Sequence, residues 1–257
     1  MSKGILGVGC SYTWGEGLQF YANMESTEVS KIHNFAPHHL REPHYLFKDA
    51  NRFITLVANH FNTWSVANKN NGGTNLGMIN EILNPIICNN RDIHPSDIGL
   101  VIVQFTQANR DFDDGGIKLS EKELNDKYTE QVELFNSVLR KYELLGIKVI
   151  SLLWNEAFWM NNAYQRLFKD RHIDIVIDGY MSHSFDYFIH NDEYGITVRS
   201  DFKKYGYQIN DIHFNLKGHK IISELIIDKL KKDNFKIDIN PHITNNYIKK
   251  IISQKLN

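Results

Sequence analysis

Side chains that could together carry out nucleophilic acyl transfer occur near the two ends of the sequence. Ser11 follows a short apolar run, and Asp211 and His213 lie two residues apart before the last strong helical pattern. In serine acyl transfer, a histidine takes the proton of the attacking serine, a carboxylate orients that histidine, and N–H donors bind the oxyanion. Gly72 and Gly73 offer backbone donors of this kind. The chemistry therefore requires a fold that brings these distant segments together.

The apolar pattern predicts such a fold. Apolar runs predict five strands, at Gly4–Gly9 and at residues 64–67, 100–105, 147–153 and 173–177. Helical patterns lie between these runs, and the alternation favours an α/β fold. We expect a three-layer α/β/α sandwich around a mostly parallel five-stranded sheet. Ligands bind at the carboxyl ends of the strands of such sheets, where Ser11, residues 72–75 and residues 106–110 all lie.

Local signals predict where several helices begin and end. Ser120 and Glu123 form a capping-box pattern before a long helix that ends near Gly146. Thr74 and Asn215 are predicted to cap two further helices. A helix is also predicted at residues 156–169. Residues 16–48 are predicted to form a long loop, and residues 180–210 give no clear pattern. We expect these two segments to line the substrate site, because loops commonly carry specificity.

Three short motifs resemble blocks of a known family. The sequence Gly-Cys-Ser-Tyr-Thr at residues 9–13 is similar to the first block of the SGNH/GDSL hydrolases. It matches the branch that reads Gly-Cys-Ser-x-Thr, which includes bacteriophage proteins. Gly-Gly-Thr-Asn at residues 72–75 resembles the second block, and Asp-Ile-His-Phe-Asn at residues 211–215 resembles the last. The resemblance spans residues 4–232 in order and implies a flavodoxin-like three-layer fold.

The resemblance implies a role for each residue of a catalytic triad. Ser11 corresponds to the nucleophile, His213 to the general base and Asp211 to the carboxylate that orients the base. The more usual spacing of the last block, Asp-x-x-His, would put Asn210 at the acid position. Asp-x-His also occurs in the family, so Asp211 is the expected acid and Asn210 the alternative.

The resemblance also implies an oxyanion hole. The backbone amides of Ser11 and Gly73 would supply two donors, and an asparagine side chain of the third block would supply another. The family pattern there is Gly-x-Asn-Asp, whereas this chain reads Thr-Gln-Ala-Asn-Arg after the third predicted strand. Asn109 is the nearest match, and Thr106 and Gln107 are alternatives for the same role.

Composition restricts the classes of partner. The 257-residue chain has 29 Lys and Arg against 30 Asp and Glu, and this balance does not favour nucleic-acid binding. The two cysteines, Cys10 and Cys88, have no Cys-x-x-Cys spacing for zinc or redox chemistry. One hydrolase domain is predicted at residues 1–235, with a helical extension at residues 236–257.

Signals for a membrane, a metal or a cofactor are weak. The first residues make a poor signal peptide, and no run approaches the roughly 18 apolar residues of a membrane span. We therefore expect a cytoplasmic protein without a membrane partner, with association with a virion as an alternative. A dinucleotide loop is disfavoured, because Tyr12 occupies the place of its third glycine. The histidines of the long loop lack a helical zinc-protease spacing, so neither metal nor cofactor is predicted: His33, His38, His39 and His44.

The expected function is that of a serine esterase acting on a small-molecule or carbohydrate ester. O-acetyl groups on carbohydrate are the first substrate class that the resemblance implies. Trp154, Trp159 and Tyr164 follow the fourth predicted strand, where burial is favoured over stacking on a sugar. An acyltransferase with the same triad is one alternative. A non-catalytic binding or virion-associated protein that retains the fold is another.

Overall fold

The protein contains a four-stranded parallel sheet. The structure, a computed structural model, describes residues 3–21, 42–69, 74–83, 93–111, 119–204, 206 and 211–237. The strands of the sheet are β1 (Gly4–Gly9), β2 (Ser65–Lys69), β3 (Ile98–Phe105) and β4 (Lys148–Leu153). Their order is β2–β1–β3–β4, and all three pairs are parallel. The predicted α/β class is confirmed, and β1 has the predicted bounds.

Helices connect and follow these strands. The α-helices are α1 (Ser11–Trp14), α2 (Glu42–Asn51), α3 (Phe53–His60), α4 (Asn75–Leu83), α5 (Glu121–Leu144), α6 (Glu156–Met160), α7 (Asn162–Phe168), α8 (Asp186–Ile189), α9 (Val198–Lys204) and α10 (Leu216–Lys232). Short 3-10 helices lie at Leu18–Tyr21, Pro95–Asp97, Ala108–Asp111 and Asp192–Tyr194. The predicted loop at residues 16–48 therefore ends in α2, and its residues 22–41 lie outside the described residues.

The predicted caps explain where most of the long helices begin. Ser120 and Glu123 form the reciprocal capping box of α5. The side chains of Thr74 and Asn215 accept backbone N–H groups in the first turns of α4 and α10. The single helix predicted at residues 156–169 is instead two, because Asn161 leaves the helical conformation and caps α7 with its side chain. Polar side chains that compete for backbone N–H groups favour such interruptions.

The fifth predicted strand differs from expectation. β5 (Ile175–Ile177) pairs antiparallel with β6 (Tyr180–Ser182) in a separate hairpin. Residues 178–179 both have positive φ, as a two-residue type I′ turn requires. In the described ranges, this stretch joins the main sheet through one parallel bridge between Ser151 and His172. The tight turn folds the chain back on itself after three residues, so a five-stranded sheet is not confirmed.

The buried strands hold the helices close to the sheet. Every residue of β1 and β3 is buried, which accounts for their continuous apolar runs. α3 packs on β1, β2 and α10, whereas α4 packs on β1 and α5, and α5 packs on β4 and α7. A Cβ at Gly7 would lie 2.6 Å from Cδ1 of Ile54 on α3, so this close approach needs glycine.

The structure describes the chain only as far as Ile237. α10 ends at Lys232. A helical extension is predicted at residues 236–257, and all of it after Ile237 lies outside the described residues. In the part of the chain that the structure describes, no helix is long and apolar enough to cross a bilayer.

Candidate active site

Ser11 lies at the carboxyl end of β1, where the strand turns abruptly into α1. Cys10 is still extended (φ −81°, ψ −163°), and Ser11 is the first helical residue. Gly9 permits this turn, because a Cβ there would overlap the Oγ1 of Thr13 and lie 2.9 Å from the Cβ of Gln104. The first N–H groups of a helix have no partner within it. The Ser11 amide therefore has no partner within α1.

Ser11, His213 and Asp211 form one hydrogen-bonded chain. His213 Nε2 lies 2.8 Å from Ser11 Oγ, and His213 Nδ1 lies 2.8 Å from Asp211 Oδ1. The same carboxylate oxygen accepts the backbone N–H of His213 at 2.8 Å. The side chains of His213 and Asp211 are 23% and 18% exposed, so solvent reaches the site. With a proton on Nδ1 directed at Asp211, Nε2 can accept the Ser11 proton.

Backbone pairing holds the segment that carries His213. The N–H groups of Val198 and Arg199 donate to the carbonyl oxygens of His213 and Asp211 at 2.9 and 2.7 Å. Gly17 approaches the segment from the other end of the chain, with a φ of 92° that favours glycine. A Cβ at Gly17 would lie 3.0 Å from the Cβ of His213. Gly17 and His213, which are far apart in the sequence, are thus in close contact at the site.

Asn215 extends this pairing to the start of α10. Its Oδ1 accepts the N–H of Gly218 at 2.8 Å and caps the helix. Its Nδ2 donates to the carbonyl oxygens of Gly195 and Thr197 at 2.9 and 3.2 Å. The Asn215 side chain is buried, so it satisfies groups that water does not reach.

Tyr12 packs against the ring of His213 and against Trp154. Its ring centroid lies 4.7 Å from that of His213 and 4.1 Å from that of Trp154. Its hydroxyl donates to the carbonyl oxygen of Ile212 at 3.0 Å. Burial raises the pKa of Tyr12, so the phenol stays neutral. Tyr12 therefore positions the imidazole without adding charge beside it.

Two further titratable side chains near the site, those of His219 and Cys10, are buried. Phe53 donates its backbone N–H to Nδ1 of His219 at 3.2 Å, and burial lowers the pKa of His219 to about 3. Burial raises the pKa of the Cys10 thiol, an effect that the Tyr12 amide and Arg110 partly oppose. Both side chains are therefore neutral at pH 7.

The structure describes only some of the residues predicted to form an oxyanion hole. Gly73 lies outside the described residues, as does Asn210. Asn109 belongs to the 3-10 helix Ala108–Asp111 after β3, and its side chain is not described. Gln107 is half-buried. Thr106 is buried.

A buried polar network that the sequence did not reveal joins α4 to the loop after β3. Asn75 exchanges two hydrogen bonds with the backbone of Thr106, each 3.0 Å long. Asp111 accepts the backbone N–H groups of Asn75 and Leu76. Gln131 on α5 contacts both the Asn75 and the Asp111 side chains. The network links Asn75, the last residue of the second motif, to the segment that follows β3.

The aromatic residues after β4 are mainly part of the core. Trp154 and Tyr164 are 4% and 0% exposed, as burial rather than sugar stacking predicts. Trp159 is half-buried and stacks on His183, with ring centroids 3.9 Å apart. A carbohydrate platform at Trp154 or Tyr164 is therefore not supported.

Comparisons with protein-family models and with curated proteins find no match to this chain. The site is therefore interpreted from its own geometry and from the three motifs. That geometry provides a hydroxyl in contact with an imidazole, which is oriented by a carboxylate, and this arrangement can activate the hydroxyl as a nucleophile.

Proposed function

We propose that this protein is a serine ester hydrolase of the SGNH type, with Ser11 as nucleophile, His213 as general base and Asp211 as the orienting carboxylate. The observation that carries the proposal is the pair of 2.8 Å contacts linking Ser11 Oγ, the His213 ring and Asp211 Oδ1. These groups come from segments 200 residues apart, and their alignment is the one that serine acyl transfer requires. The proposal includes the three-layer sandwich of that family.

The first half of the reaction forms an acyl-enzyme. Ser11 Oγ attacks the ester carbonyl carbon while its proton moves to His213 Nε2, and Asp211 stabilises the resulting imidazolium. The Ser11 amide donates to the oxyanion, and Gly73 and Asn109 are the proposed further donors. His213 then gives the proton to the leaving alcohol oxygen as the C–O bond breaks. The acyl group remains on Ser11.

The second half repeats the same proton transfers with water. His213 takes a proton from a water molecule, whose oxygen attacks the acyl carbon. The tetrahedral intermediate collapses, the carboxylic acid leaves, and the proton returns to Ser11. A small acyl group such as acetyl, on a carbohydrate alcohol, is the substrate class that we propose.

The proposal is tested with purified wild type, Ser11→Ala and Ser137→Ala on p-nitrophenyl acetate. Ser137 is an exposed serine of α5, so its variant is a matched control. We expect turnover by wild type and Ser137→Ala, and a loss of about 10³-fold or more in Ser11→Ala. Circular dichroism establishes that each variant is folded. Equal rates well above the background hydrolysis in all three proteins would refute the proposal.

A fluorophosphonate probe covers the case of an enzyme that is too selective for p-nitrophenyl acetate. Labelling of wild type at Ser11, with none in Ser11→Ala, would support an activated nucleophile. No turnover together with no labelling would indicate a protein that retains the fold without the activity.

The acyl-Ser11 intermediate is common to hydrolysis and to acyl transfer. The two reactions differ only in whether water or a second alcohol takes the acyl group. Adding a monosaccharide acceptor to the p-nitrophenyl acetate assay separates them. Free acetate as the main product supports the hydrolase, and an acetylated sugar as the main product assigns a transferase.

A further inference from the structure

A second cluster of functional side chains lies at the β5–β6 hairpin and shares no residue with the triad. His172 follows α7, Asp174 precedes β5, and His183 follows β6. Each residue offers one possible ligand atom, a ring nitrogen or a carboxylate oxygen, and these three atoms all lie within 4.8 Å of one another. His183 Nδ1 is 2.7 Å from Asp174 Oδ1, and His172 Nε2 is 3.7 Å from the same oxygen.

The His172 ring is buried and held in one orientation. Its side chain is 2% exposed, and its Nδ1 lies 3.0 Å from the Tyr164 hydroxyl. That hydroxyl lies 2.9 Å from the hydroxyl of Ser151 on β4. If Nδ1–H donates to Tyr164 and Tyr164 donates to Ser151, the lone pair of His172 is on Nε2. The hydrogen-bond chain therefore permits the tautomer that a metal ligand needs.

The other nitrogen of this ring has no partner. His172 Nε2 is buried and makes no hydrogen bond within the described part of the chain, because Asp174 Oδ1 at 3.7 Å is too distant. A buried polar atom without a partner is rare and calls for a physical explanation.

Trp159 supports the same cluster from one side. Its ring stacks on His183 at 3.9 Å and 18°, and its centroid is 4.9 Å from that of His172. The half-buried indole therefore restricts both imidazoles. Asp174 and His183 remain 47% and 26% exposed, so a solvated ion can reach them.

We propose that His172 Nε2, Asp174 Oδ1 and His183 Nδ1 bind a divalent transition-metal ion, for which Zn²⁺ is the best match. Two imidazoles and one carboxylate suit this ion. Metal–ligand bonds of about 2.1 Å in a tetrahedron place the ligand atoms about 3.4 Å apart, which lies between the observed 2.7 and 3.7 Å. The fourth position is left for water. The ion would tie the hairpin to the buried end of α7 and, through the Tyr164 hydroxyl, to β4.

Isothermal titration with ZnCl₂ tests the proposal on the full chain without a histidine tag, after treatment with a chelator. The variants are Asp174→Asn and His183→Ala, both at partly exposed positions that tolerate substitution better than the buried His172. His190→Ala is the matched control, because His190 pairs with Asp186 at 3.3 Å without a third ligand in the described residues.

We expect one equivalent of Zn²⁺ in wild type and in His190→Ala, with binding weakened about tenfold or more in Asp174→Asn and His183→Ala. Co²⁺ in place of Zn²⁺ should give the visible absorption of a four-coordinate site in wild type, and this signal should be lost in His183→Ala. Undiminished binding in both ligand variants would overturn the proposal, because other histidines would then hold the ion. No binding by wild type would overturn it as well.

Discussion

The Tyr12 ring contacts His213, and its hydroxyl donates to the carbonyl oxygen of Ile212, so under the proposed mechanism Tyr12 positions the base by packing. Tyr12→Phe keeps the ring and removes one hydrogen bond. We expect it to lower the free energy of unfolding by about 1 kcal/mol and to change kcat/KM for p-nitrophenyl acetate little. Tyr12→Ala removes the ring as well, and we expect a loss of about 3–5 kcal/mol together with most of the activity. Urea unfolding and steady-state kinetics measure both quantities.

The contrast between these two variants is informative. If Tyr12→Phe lowered kcat/KM as much as Tyr12→Ala, the hydroxyl itself rather than the packed ring would serve the reaction.

Asp211 and Asn210 have different roles under the proposed mechanism. The Asp211 carboxylate contacts both the ring and the backbone N–H of His213. Asp211→Asn would keep the shape but lose the charge that stabilises the imidazolium, and we expect kcat to fall about 10³- to 10⁴-fold. Asn210→Ala should leave kcat within about twofold of wild type. Equal losses in the two variants, measured on p-nitrophenyl acetate, would contradict the assignment of the acid.

At the scale of single residues, sequence reasoning was most informative where residue type and motif coincided. Ser11, Asp211 and His213 belong to short motifs, and the structure brings those three together. Asn75 ends the second motif and Gln131 belongs to none, and no motif predicts that these two side chains pair. They meet only because two loops and α5 converge, and pairing across 56 residues leaves no local pattern.

At the scale of elements, Asn215 links the start of α10 to the backbone that supports His213. Asn215→Ala removes the helix cap and leaves the buried carbonyl oxygens of Gly195 and Thr197 without their donor. We expect a loss of about 2–3 kcal/mol in the free energy of unfolding. Thermal and urea unfolding measure this loss, and kcat/KM should fall with it because His213 lies two residues away.

Asn215→Asp separates the two functions of this side chain. The carboxylate can still accept the Gly218 N–H and cap α10, but it cannot donate to the two carbonyl oxygens. If the two hydrogen bonds donated by Nδ2 account for most of the stability that Asn215 provides, the free energy of unfolding should fall about as much in Asn215→Asp as in Asn215→Ala. Near-wild-type stability of Asn215→Asp would indicate that capping alone accounts for the effect.

The β5–β6 hairpin shows why the sequence pattern did not predict the pairing of the fifth strand. The apolar run at residues 173–177 predicts a buried strand, but the following Asp-Gly pair at residues 178–179 is itself a strong hairpin signal. Apolar periodicity over five residues cannot tell which neighbour a strand will pair with. The turn decides it here, because both of its residues adopt positive φ.

At the scale of the whole molecule, the fold class followed from the sequence because buried parallel strands are continuous apolar runs. β1 and β3 have this character along their whole length. The spatial order β2–β1–β3–β4 depends instead on contacts between helices and strands that are distant in the sequence. No local run of residues encodes that order.

Folding also buries an imidazole, that of His219, in a neutral state. Burial is the main cause that lowers the pKa of His219 to about 3, and the nearby His213 and Arg52 lower it further. The unfolded chain restores a pKa of about 6.5. Between these two values the unfolded state binds more protons than the folded state, so the free energy of unfolding must fall as the pH falls.

We therefore expect His219 to contribute a slope of about 1.4 kcal/mol per pH unit below pH 6.5. Urea unfolding of wild type and His219→Gln, at half-unit steps from pH 7 to pH 4, measures this contribution as the difference between the two curves. Glutamine retains an acceptor for the Phe53 N–H but does not titrate. The exposed His190→Gln serves as the control and should follow wild type. Parallel curves for wild type and His219→Gln would mean that this imidazole is not held neutral by the fold.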